Sequence, residues 1–347
     1  MTICKGCGVT LQHTNPNEPG YTPKEDGVYC QRCFRIMHYD DLVFSLRDTI
    51  SPSQIIKQIE SQEGIIVWIV DLFDFESSMI VELEEEFKKR NVFMVCTKRD
   101  LLPKAVKEDK LLQFVERELK DKKIHVDEIR IVSLKDSLDT LRKDIEDFAK
   151  GKDVIVVGRA NAGKSTLLNR LLEKKDLTSS RYPGTTQAFL PMEYNGITYI
   201  DTPGIELEHS MIMKVKEEDL IHILPTKEVS AQIYQIHENQ SFILGGLAQI
   251  DFETKEEASI VFYENEDLNI HRCKAENKEK LWKKHYGELF QPIPMVNEFE
   301  CITHHKQYEK EDIVIHGLGF ICVSGVVDRI CVMVPKGVTV TFRKAMI

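Results

Sequence analysis

The stretch Gly158-Arg-Ala-Asn-Ala-Gly-Lys-Ser165 has the spacing of a phosphate-binding loop, in which backbone N–H groups surround phosphate oxygens. An apolar run at residues 154–157 predicts a strand before it, and residues 164–173 predict a helix after it. A strand, a glycine-containing loop and a helix are the context that such a loop requires. We therefore expect Lys164 to reach the phosphates and the Ser165 hydroxyl to coordinate Mg²⁺. The alternative, a simple glycine turn, accounts for neither the spacing nor the context.

Two motifs downstream extend this interpretation. Asp201-Thr-Pro-Gly204 follows a short apolar strand. The Asp201 carboxylate can hold a Mg²⁺-bound water, and the Gly204 N–H can approach a γ-phosphate closely. Between these motifs, Pro183-Gly-Thr-Thr186 predicts a loop with a Mg²⁺-coordinating threonine, for which the second threonine, Thr186, is favoured. An Asp-x-x-Gly turn is common by itself, but it becomes informative after a phosphate loop.

A base-binding motif, Thr97-Lys-Arg-Asp100, ends an apolar strand predicted at residues 92–96. The Asp100 carboxylate can accept hydrogen bonds from guanine N1–H and N2–H₂, a pair of donors that adenine lacks. This pattern disfavours an ATP-dependent kinase or ATPase. Lys98 is expected to lie along the base plane. Thr97 replaces the usual asparagine, which predicts one weaker supporting hydrogen bond.

Two neighbouring features are open to more than one interpretation. Ser133-Leu-Lys135 follows the next predicted strand, at residues 128–132, and matches either a base-contacting loop or a helix cap. Asp71 and Asp74 follow the strand predicted at residues 65–70. For these two carboxylates, solvation at a strand end is favoured over contact with the site.

The motifs occur in an unusual order. In GTPases the phosphate loop usually precedes the guanine-binding motif, whereas here Asp100 precedes Gly158. The same parts in rotated order resemble a circularly permuted GTPase, and rotation preserves a fold whose original ends lie close together. The break falls just after Gly204, so this loop leads directly into the C-terminal region. We therefore expect the bound nucleotide to influence the position of the C-terminal domain.

The fold class expected from hydrophobic patterning is α/β. Between about residues 50 and 205, apolar runs alternate with amphipathic stretches, which predicts a mostly parallel sheet. Asn195-Gly196 predicts a hairpin. After residue 215, short β-rich segments with Gly and Asn turns predict a separate β-rich domain, and no internal repeat is evident. Helices within the α/β region are predicted at 52–61, 77–90, 105–121 and 136–149.

Two Cys-x-x-Cys pairs lie near the N-terminus, in a segment rich in Gly, Pro and Asn that cannot build a core. Each pair offers two thiolates to one tetrahedral ion, so a Zn²⁺ site is predicted, with a redox dithiol as the alternative. The expected zinc ligands are Cys4, Cys7, Cys30 and Cys33. The remaining cysteines are expected to be small core residues; they are Cys96, Cys273, Cys301, Cys322 and Cys331.

Three domains follow from these patterns: a zinc-finger domain at residues 1–45, a GTPase domain at 46–214 and a β-rich domain at 215–347. The net charge of −10 disfavours a generally basic nucleic-acid binder but allows a local basic face. The longest apolar run is far too short to span a bilayer, and no signal peptide is recognisable. A cytoplasmic protein without a membrane partner is therefore expected.

The residues that would catalyse hydrolysis are only partly recognisable. Ile205 occupies the position where many GTPases carry a water-orienting glutamine. Asn161 resembles the potassium-coordinating asparagine of cation-activated GTPases, where K⁺ would supply positive charge to the transition state. A loop-capping role for Asn161 is an equal alternative. Slow intrinsic hydrolysis is expected in either case.

A basic and aromatic segment stands out in the C-terminal region. Such a mixture contacts phosphates and stacks on unpaired bases, although a solvated helix paired with its own glutamates is the alternative. Its members are Arg272, Lys274, Lys278, Lys280, Lys283 and Lys284, with His271, Trp282 and Tyr286 among them. A second basic patch is expected at Lys336, Arg343 and Lys344.

Several segments resemble the YqeH family of circularly permuted, ribosome-associated GTPases; they are Cys30-Gln-Arg-Cys33-Phe, Gly245-Gly-Leu247, Asp312-Ile-Val-Ile-His-Gly-Leu-Gly319 and Val334-Pro-Lys-Gly-Val338. The resemblance covers nearly the whole chain. It implies a zinc finger, a permuted GTPase domain and a C-terminal RNA-binding domain. It also implies a switch in assembly of the small ribosomal subunit that acts through rRNA, not DNA. The alternative is a nucleotide-stabilised binding module in which hydrolysis is incidental.

The expected nucleotide site, for GTP or GDP with Mg²⁺, combines all of these motifs. Its residues are Thr97, Lys98, Asp100, Ser133, Leu134, Lys135, Gly158, Asn161, Ala162, Gly163, Lys164, Ser165, Thr166, Thr186, Asp201 and Gly204. Candidates for a catalytic role are Asn161, Lys164 and Thr186, and candidates for Mg²⁺ coordination are Ser165 and Thr186.

Overall fold

The computed structural model describes residues 4, 9–15, 20–24, 27–31, 52–133, 135–172, 189–205 and 209–347. Within these residues, no helix combines the length and apolar character needed to cross a membrane. The chain forms two compact units. The first comprises Met1–Arg99 and Val115–Glu206, and the second comprises Asp100–Phe114 and Leu207–Ile347.

The first unit contains a six-stranded sheet with strand order β3-β2-β1-β4-β6-β5. The strands are β1 (Ile65–Asp71), β2 (Val92–Thr97), β3 (Glu128–Ile131), β4 (Val154–Gly158), β5 (Leu190–Tyr194) and β6 (Ile197–Asp201). All neighbours pair in parallel except β5 and β6, which form an antiparallel pair joined at Asn195-Gly196. Both turn residues have positive φ, 50° and 79°, so the predicted hairpin is confirmed. The mixed α/β fold with a mostly parallel sheet is therefore confirmed as well.

The helices flank these strands in the predicted order. They are α1 (Pro52–Glu60), α2 (Glu84–Lys89), α3 (Glu108–Asp121), α4 (Asp139–Ala149) and α5 (Lys164–Leu171). The helix predicted over 77–90 is wrong in its first half, because residues 73–78 form turns, residues 79–80 are irregular and Val81–Leu83 form a single 3₁₀ turn. The Asp71 carboxylate accepts hydrogen bonds from the N–H groups of Phe73 and Asp74, which favours a turn over a helix.

The core of the first unit lies on both faces of the central strands. All seven residues of β1 are buried, as the apolar runs of a parallel sheet require. On one face, Ile69, Val95 and Val156 pack in one cluster with Ile145 of α4 and Leu167 of α5. These contacts hold the start of α5, and with it the phosphate loop, against the sheet.

The second unit is β-rich, as predicted. It contains two five-stranded antiparallel sheets, with orders β16-β13-β14-β10-β7 and β11-β8-β9-β15-β12. The strands are β7 (Gln232–Ile236), β8 (Gln240–Leu244), β9 (Ala248–Glu253), β10 (Ala258–Glu264), β11 (Ile270–Lys274), β12 (Phe299–His304), β13 (Lys310–Ile315), β14 (Gly319–Gly325), β15 (Arg329–Pro335) and β16 (Val340–Lys344). Two helices accompany them, α6 (Leu220–Ile223) and α7 (Lys278–His285).

The pairing of these strands reveals a duplication that we did not find in the sequence. In the first half, β7 pairs with β10, and β8 pairs with both β9 and β11. In the second half, β12 pairs with β15, and β13 pairs with both β14 and β16. The halves then exchange strands, because β10 pairs with β14 and β15 pairs with β9. The two copies share little sequence beyond a Gly-Leu turn, at Gly246-Leu247 and Gly317-Leu318, so the repeat is visible only in the topology.

A buried ion pair stabilises the second unit. Arg343 Nε lies 3.2 Å from Asp312 Oδ2, and both side chains are almost fully buried. The Arg343 guanidinium also lies over two rings, 4.6 Å from the centroid of Phe114 and 5.5 Å from that of Phe320. Arg343 therefore does not belong to the exposed basic patch that we predicted, and it instead holds residues of β13, β14 and α3 together.

The cysteines outside the N-terminal segment divide into two groups. Cys96 and Cys322 are buried, as expected of small core residues, and Cys273 is half-buried. Cys301 and Cys331 form a disulfide between the paired strands β12 and β15. The expectation that these two cysteines are separate core residues is therefore wrong.

Replacing Asp312 by alanine is expected to destabilise the second unit by about 3 kcal/mol, because Arg343 then stays buried without this carboxylate. Urea unfolding measured by Trp282 fluorescence, in a Trp68→Phe background, reports on this unit, because the chain has two tryptophans and Trp68 lies in the first unit. The matched control is Glu298→Ala, which removes an exposed pair with Lys336 and should leave the unfolding midpoint unchanged. Equal midpoints for the Asp312 and Glu298 variants would contradict the prediction.

Candidate nucleotide-binding site

The predicted motifs gather at one edge of the first sheet. Strands β1, β2, β4 and β6 run parallel to one another, so their carboxyl ends lie at the same edge. The phosphate loop follows β4, and Thr97-Lys98 end β2. Asp201 ends β6, and Asp71 ends β1. Edges of this kind are where ligands bind in open α/β sheets.

Glycine and left-handed backbone form the phosphate loop. A Cβ atom at Gly158 would lie 2.6 Å from the carbonyl oxygen of Ile69, so only glycine fits there. Asn161 and Gly163 have φ values of 62° and 92°, in the left-handed region. Left-handed residues within a loop let successive backbone N–H groups point into the same concavity, where an anion can bind. The N-terminal end of α5 adds the positive end of the helix dipole.

Lys164 is a buried cation at the start of α5. Its Nζ donates hydrogen bonds to the carbonyl oxygens of Gly158 and Arg159, each at 3.0 Å. Burial lowers the pKa of Lys164 to about 8, and the negative charge of Asp201 only partly opposes this shift. Both of these acceptors are neutral carbonyl oxygens, and a bound phosphate would add a negatively charged partner. The buried ammonium therefore fits the predicted phosphate site.

Oxygen donors suited to a hard cation lie beside it. The Ser165 hydroxyl donates a hydrogen bond to Asp201 Oδ2 at 2.8 Å, and both side chains are buried. A hydroxyl and a carboxylate are oxygen ligands of the type that Mg²⁺ prefers. Thr166 is half-buried on the next position of α5.

The loop after β6 is joined to the phosphate loop. Ile205 N–H donates to Gly158 O at 3.3 Å, and Ala160 N–H donates to Ile205 O at 3.0 Å. At Gly204, a Cβ atom would lie 2.8 Å from Ala160 Cα, so a larger residue would separate the two loops. The Asp201–Gly204 motif therefore packs directly on the phosphate loop, as its predicted role requires.

Thr97 links the base-binding strand to the same loop. Its hydroxyl lies 2.7 Å from the carbonyl oxygen of Ala162 and 3.2 Å from that of Val70, and the side chain is fully buried. We had expected threonine at this position to weaken one hydrogen bond. In the structure, the shorter side chain still reaches the phosphate loop.

Lys98 and Asp71 form an ion pair at the ends of β2 and β1. Lys98 Nζ lies 2.7 Å from Asp71 Oδ2, and Lys98 has a left-handed backbone with φ of 60°. Asp100 lies two residues further on, in the 3₁₀ turn Arg99–Leu101. The sequence patterns did not predict the pairing of Asp71 with Lys98. The only sequence feature that pointed to it was the position of Asp71 at the end of an apolar strand.

The favoured interpretation of Asp71 and Asp74 as solvated carboxylates is wrong. Asp71 is buried, and burial raises the pKa of Asp74 to about 7, with a further contribution from the negative charge of Asp71. The Ser77 hydroxyl donates a hydrogen bond to Asp74 Oδ1 at 2.7 Å. These carboxylates are therefore part of the packed edge of the sheet.

The end of β3 is bonded to the base-binding turn. Arg99 N–H donates to Val132 O at 3.3 Å, and the Ser133 hydroxyl accepts a hydrogen bond from Lys135 N–H at 3.0 Å. Since α4 begins only at Asp139, Ser133 does not cap a helix. The helix-cap alternative is therefore wrong, and contact with the base stays a prediction.

Some predicted residues lie outside the described part of the chain. They are Thr186, Leu134, Cys7 and Cys33. Of the zinc ligands, Cys4 and Cys30 are described: both are buried, and Cys30 N–H donates to Cys4 Sγ at 3.2 Å. The residues that the structure describes contain no group of three or more His, Cys, Asp or Glu side chains that could hold a metal ion.

The basic segment of the second unit divides into two sets. Lys278, Lys274 and Arg272 contact Asp251, Glu238 and Gln240, respectively. The remaining lysines of α7, Lys280, Lys283 and Lys284, are exposed. On the same helix the Trp282 ring packs on Tyr286, with centroids 5.1 Å apart, and on Phe299 at 5.5 Å. Three of the six cations therefore have polar partners within the second unit, and the other three extend into solvent beside an aromatic cluster.

Comparison with known proteins agrees with this architecture. Residues 257–346 match the family described as YqeH-like, C-terminal, and residues 153–260 match the family described as 50S ribosome-binding GTPase. The uncharacterized protein YqeH of Bacillus subtilis is 34% identical over 99% of both chains. NO-associated protein 1 of Arabidopsis thaliana is 25% identical over all of this chain and 76% of its own. GTPase Der of Nitrosococcus oceani is 39% identical over 87 residues, which are 24% of this chain and 19% of that protein.

A GTPase family implies binding of GTP, GDP and Mg²⁺, which the buried Lys164 and the Ser165–Asp201 pair fit. Since the similarity to the Bacillus protein extends over the full length of both chains, this chain belongs to the YqeH family and is a GTP-hydrolysing enzyme.

Proposed function

We propose that this GTPase is a switch in assembly of the small ribosomal subunit, binding rRNA in one nucleotide state and releasing it in the other. The observation that best supports a single nucleotide site is the Thr97–Ala162 hydrogen bond, because it joins the base-binding strand to the phosphate loop. The ribosomal part rests on membership of the family and on the ribosome-binding description of the matched GTPase region. Ribosome assembly in a bacterial-type cell takes place in the cytoplasm, where we expect the protein to act.

Each site residue has a defined task in this proposal. Lys164 neutralises the β- and γ-phosphates, and the Gly204 N–H contacts the γ-phosphate. Ser165 and Thr186 coordinate Mg²⁺, and Asp201 orients a water bound to it. Mg²⁺ would neutralise part of the charge that develops on the leaving group. The other loop residues, Gly158, Ala162, Gly163 and Thr166, supply backbone N–H groups or close packing.

Guanine recognition falls to the other end of the site. The Asp100 carboxylate accepts the N1–H and N2–H₂ hydrogen bonds, and Lys98 lies along the base. Ser133, Leu134 and Lys135 are proposed to contact the base; Ser133 and Lys135 follow β3, the neighbour of β2 in the sheet. An adenine would leave Asp100 without matching donors, which is the basis of the expected selectivity.

The chain order supports a circular permutation. The matched GTPase region, residues 153–260, contains the phosphate loop and Asp201–Gly204 but not the base-binding motif at 97–100. We therefore propose domains at 1–45, 46–214 and 215–347. The loop after Gly204 leads into the second unit, which resumes at Leu207. Release of the γ-phosphate would alter this loop, and through it the C-terminal domain.

Hydrolysis is proposed to be slow and K⁺-dependent. Ile205 is fully buried, so its side chain cannot orient an attacking water. Asn161 has a left-handed backbone within the phosphate loop, with φ of 62°, and in this proposal its side chain coordinates K⁺. The same buried Ile205 also favours the second candidate function, a nucleotide-stabilised binding module with incidental hydrolysis.

The proposed RNA contact is the outer face of α7. Its exposed lysines lie beside half-buried Trp282 and Tyr286, a combination that binds phosphates and stacks on unpaired bases. The family that matches the GTPase region is named for binding to the 50S, or large, ribosomal subunit. The resemblance to the YqeH family instead favours the small subunit. The first experiment must therefore compare both subunits.

GTP hydrolysis is expected to rise about tenfold when isolated small ribosomal subunits are added, and to be faster in K⁺ than in Na⁺. The assay measures phosphate release by the full-length protein with small subunits, large subunits or neither. A variant with Lys280, Lys283 and Lys284 changed to alanine should lose the stimulation but keep the intrinsic rate. The matched control replaces Lys107, Lys110 and Lys120, which lie in or beside α3.

Three outcomes would revise the proposal. Stimulation by large subunits alone would replace the small-subunit assignment. Tight GTP binding without turnover under any condition would favour the binding module. Equal rates in K⁺ and Na⁺ would remove the role of Asn161.

Affinity for GDP, and for GTP, is expected to fall above pH 8. In the free protein the pKa of Lys164 is about 8, and bound phosphates raise it, so binding above this pH requires uptake of a proton. Affinity should be constant below pH 8 and decrease by up to about tenfold per pH unit above it. Calorimetric titration with GDP in buffers of different ionisation enthalpy measures both the affinity and the proton uptake. In Lys164→Arg, whose guanidinium stays charged, the same pH range should bring no such decrease; a decrease of equal size there would assign it to another group.

The N-terminal segment is proposed to hold one zinc ion through Cys4, Cys7, Cys30 and Cys33. The support is the two Cys-x-x-Cys pairs and the burial of Cys4 beside Cys30. Native full-length protein should contain one zinc per chain, and Cys4→Ser should lower this content. Cys273→Ser, in the second unit, is the matched control and should keep the metal. Substoichiometric zinc in native protein would refute a structural site.

A further inference from the structure

Asp71 lies where the two halves of the nucleotide site meet. Strand β1 stands between β2 and β4 in the sheet, and so between the strands that lead to the base-binding motif and to the phosphate loop. The register pairs Asp71 with Thr97, and Leu72 N–H extends this pairing by donating to Thr97 O at 3.1 Å. The carboxylate of Asp71 is therefore adjacent to the first residues of the base-binding motif.

The Asp71 carboxylate is fixed from several directions. Its Oδ1 accepts hydrogen bonds from Phe73 N–H at 2.9 Å and from Asp74 N–H at 3.4 Å. Its own N–H donates to the Ser78 hydroxyl at 3.0 Å. These bonds close the turn that follows β1, and they leave Oδ2 to receive the Lys98 ammonium at 2.7 Å. The carboxylate is thus a rigid acceptor, not a mobile surface charge.

Lys98 needs such an acceptor. Its left-handed backbone is unfavourable for a residue with a side chain, and conformations of this kind persist where neighbouring contacts determine them. A lysine side chain also has many rotamers, so ordering it on a ligand costs conformational entropy. A partner that orders the side chain before the ligand binds reduces this cost. In this chain the side chains of Lys98 and Asp71 are 22% and 10% exposed, so their pairing is mostly shielded from water.

We propose that Asp71 is a positioning residue for the guanine nucleotide: it holds the Lys98 ammonium so that the aliphatic part of the side chain is ready to pack along the base. This inference rests on the proposed assignment of Lys98 to the base. Asp71 itself does not touch the nucleotide. Because Lys98 contacts the plane of the base and not its edge, Asp71 affects affinity for purine nucleotides in general, whereas Asp100 selects guanine by its amino group.

The substitution that isolates this role is Asp71→Asn. The asparagine carbonyl can still accept the Phe73 N–H bond that closes the turn, but its amide presents a donor to Lys98 in place of a charged acceptor. The matched control is Asp127→Asn. Asp127 Oδ2 accepts a hydrogen bond from Val92 N–H at 2.8 Å at the start of β2, the opposite edge of the same sheet.

The experiment is a double-mutant cycle in the full-length protein, with Asp71→Asn, Lys98→Met and the double variant. Affinities for GTP and ITP, which lacks the 2-amino group, are measured with kcat, KM and the thermal unfolding midpoint. Asp71→Asn is expected to weaken both nucleotides by about tenfold, to raise KM more than it lowers kcat, and to leave the GTP/ITP ratio unchanged. In the Lys98→Met background it should add almost nothing, and Asp127→Asn should leave both affinities intact.

Other outcomes distinguish a failure of the role of Asp71 from a failure of the assignment of Lys98 to the base. If Lys98→Met weakens GTP binding but Asp71→Asn does not, Asp71 is not a positioning residue and the base site stands. If Asp71→Asn weakens binding equally with and without Lys98, its role is only to stabilise the turn. If Lys98→Met itself leaves GTP affinity unchanged, the assignment of Lys98 to the base fails, and the role of Asp71 fails with it.

Discussion

The close approach of the phosphate loop to β1 determines the geometry of the whole site. At Gly158 the chain passes so near the carbonyl of Ile69 that no side chain can be accommodated, and this contact fixes where the loop starts. From there the Thr97 hydroxyl reaches Ala162 and the chain after Gly204 pairs with Gly158 and Ala160. Lys164 is buried by the same packing, which lowers its pKa and prepares it for an anion. A single tight contact between two strands thus brings three separate motifs together.

Sheet neighbours, not chain order, decide which motifs meet. Strand β1 is first along the chain but lies third in the sheet, between the strands of the base and phosphate motifs. The segment that follows the base motif, Asp100–Phe114, belongs to the second unit, where Val229 N–H donates to Leu101 O at 2.9 Å and Arg343 covers Phe114. The polypeptide therefore passes from a nucleotide-binding motif into the second unit at two places, at Asp100 and after Gly204.

Sequence patterns predicted the motifs and most elements, because apolar runs and glycine spacing report directly on strands and loops. They failed where a charged residue is buried by a distant partner. Asp71 looked solvated since its partner, Lys98, lies 27 residues away and is directed by an unusual φ value. Arg343 looked exposed for the same reason, because its carboxylate and rings come from β13, β14 and α3. The duplication is not evident in the sequence because the two copies pair their strands alike but share little sequence.

The duplication also explains where a basic surface can arise in a chain of net charge −10. Residues of the paired strands alternate between core and surface, and several charges on them form pairs between neighbouring strands, such as Arg343–Asp312 and Arg329–Glu253. Helix α7 lies in the connection between the two copies, and none of its residues is buried. It can therefore carry exposed lysines without disturbing either sheet. The repeated strands form the two sheets, and the connection between the copies carries the exposed lysines Lys280, Lys283 and Lys284.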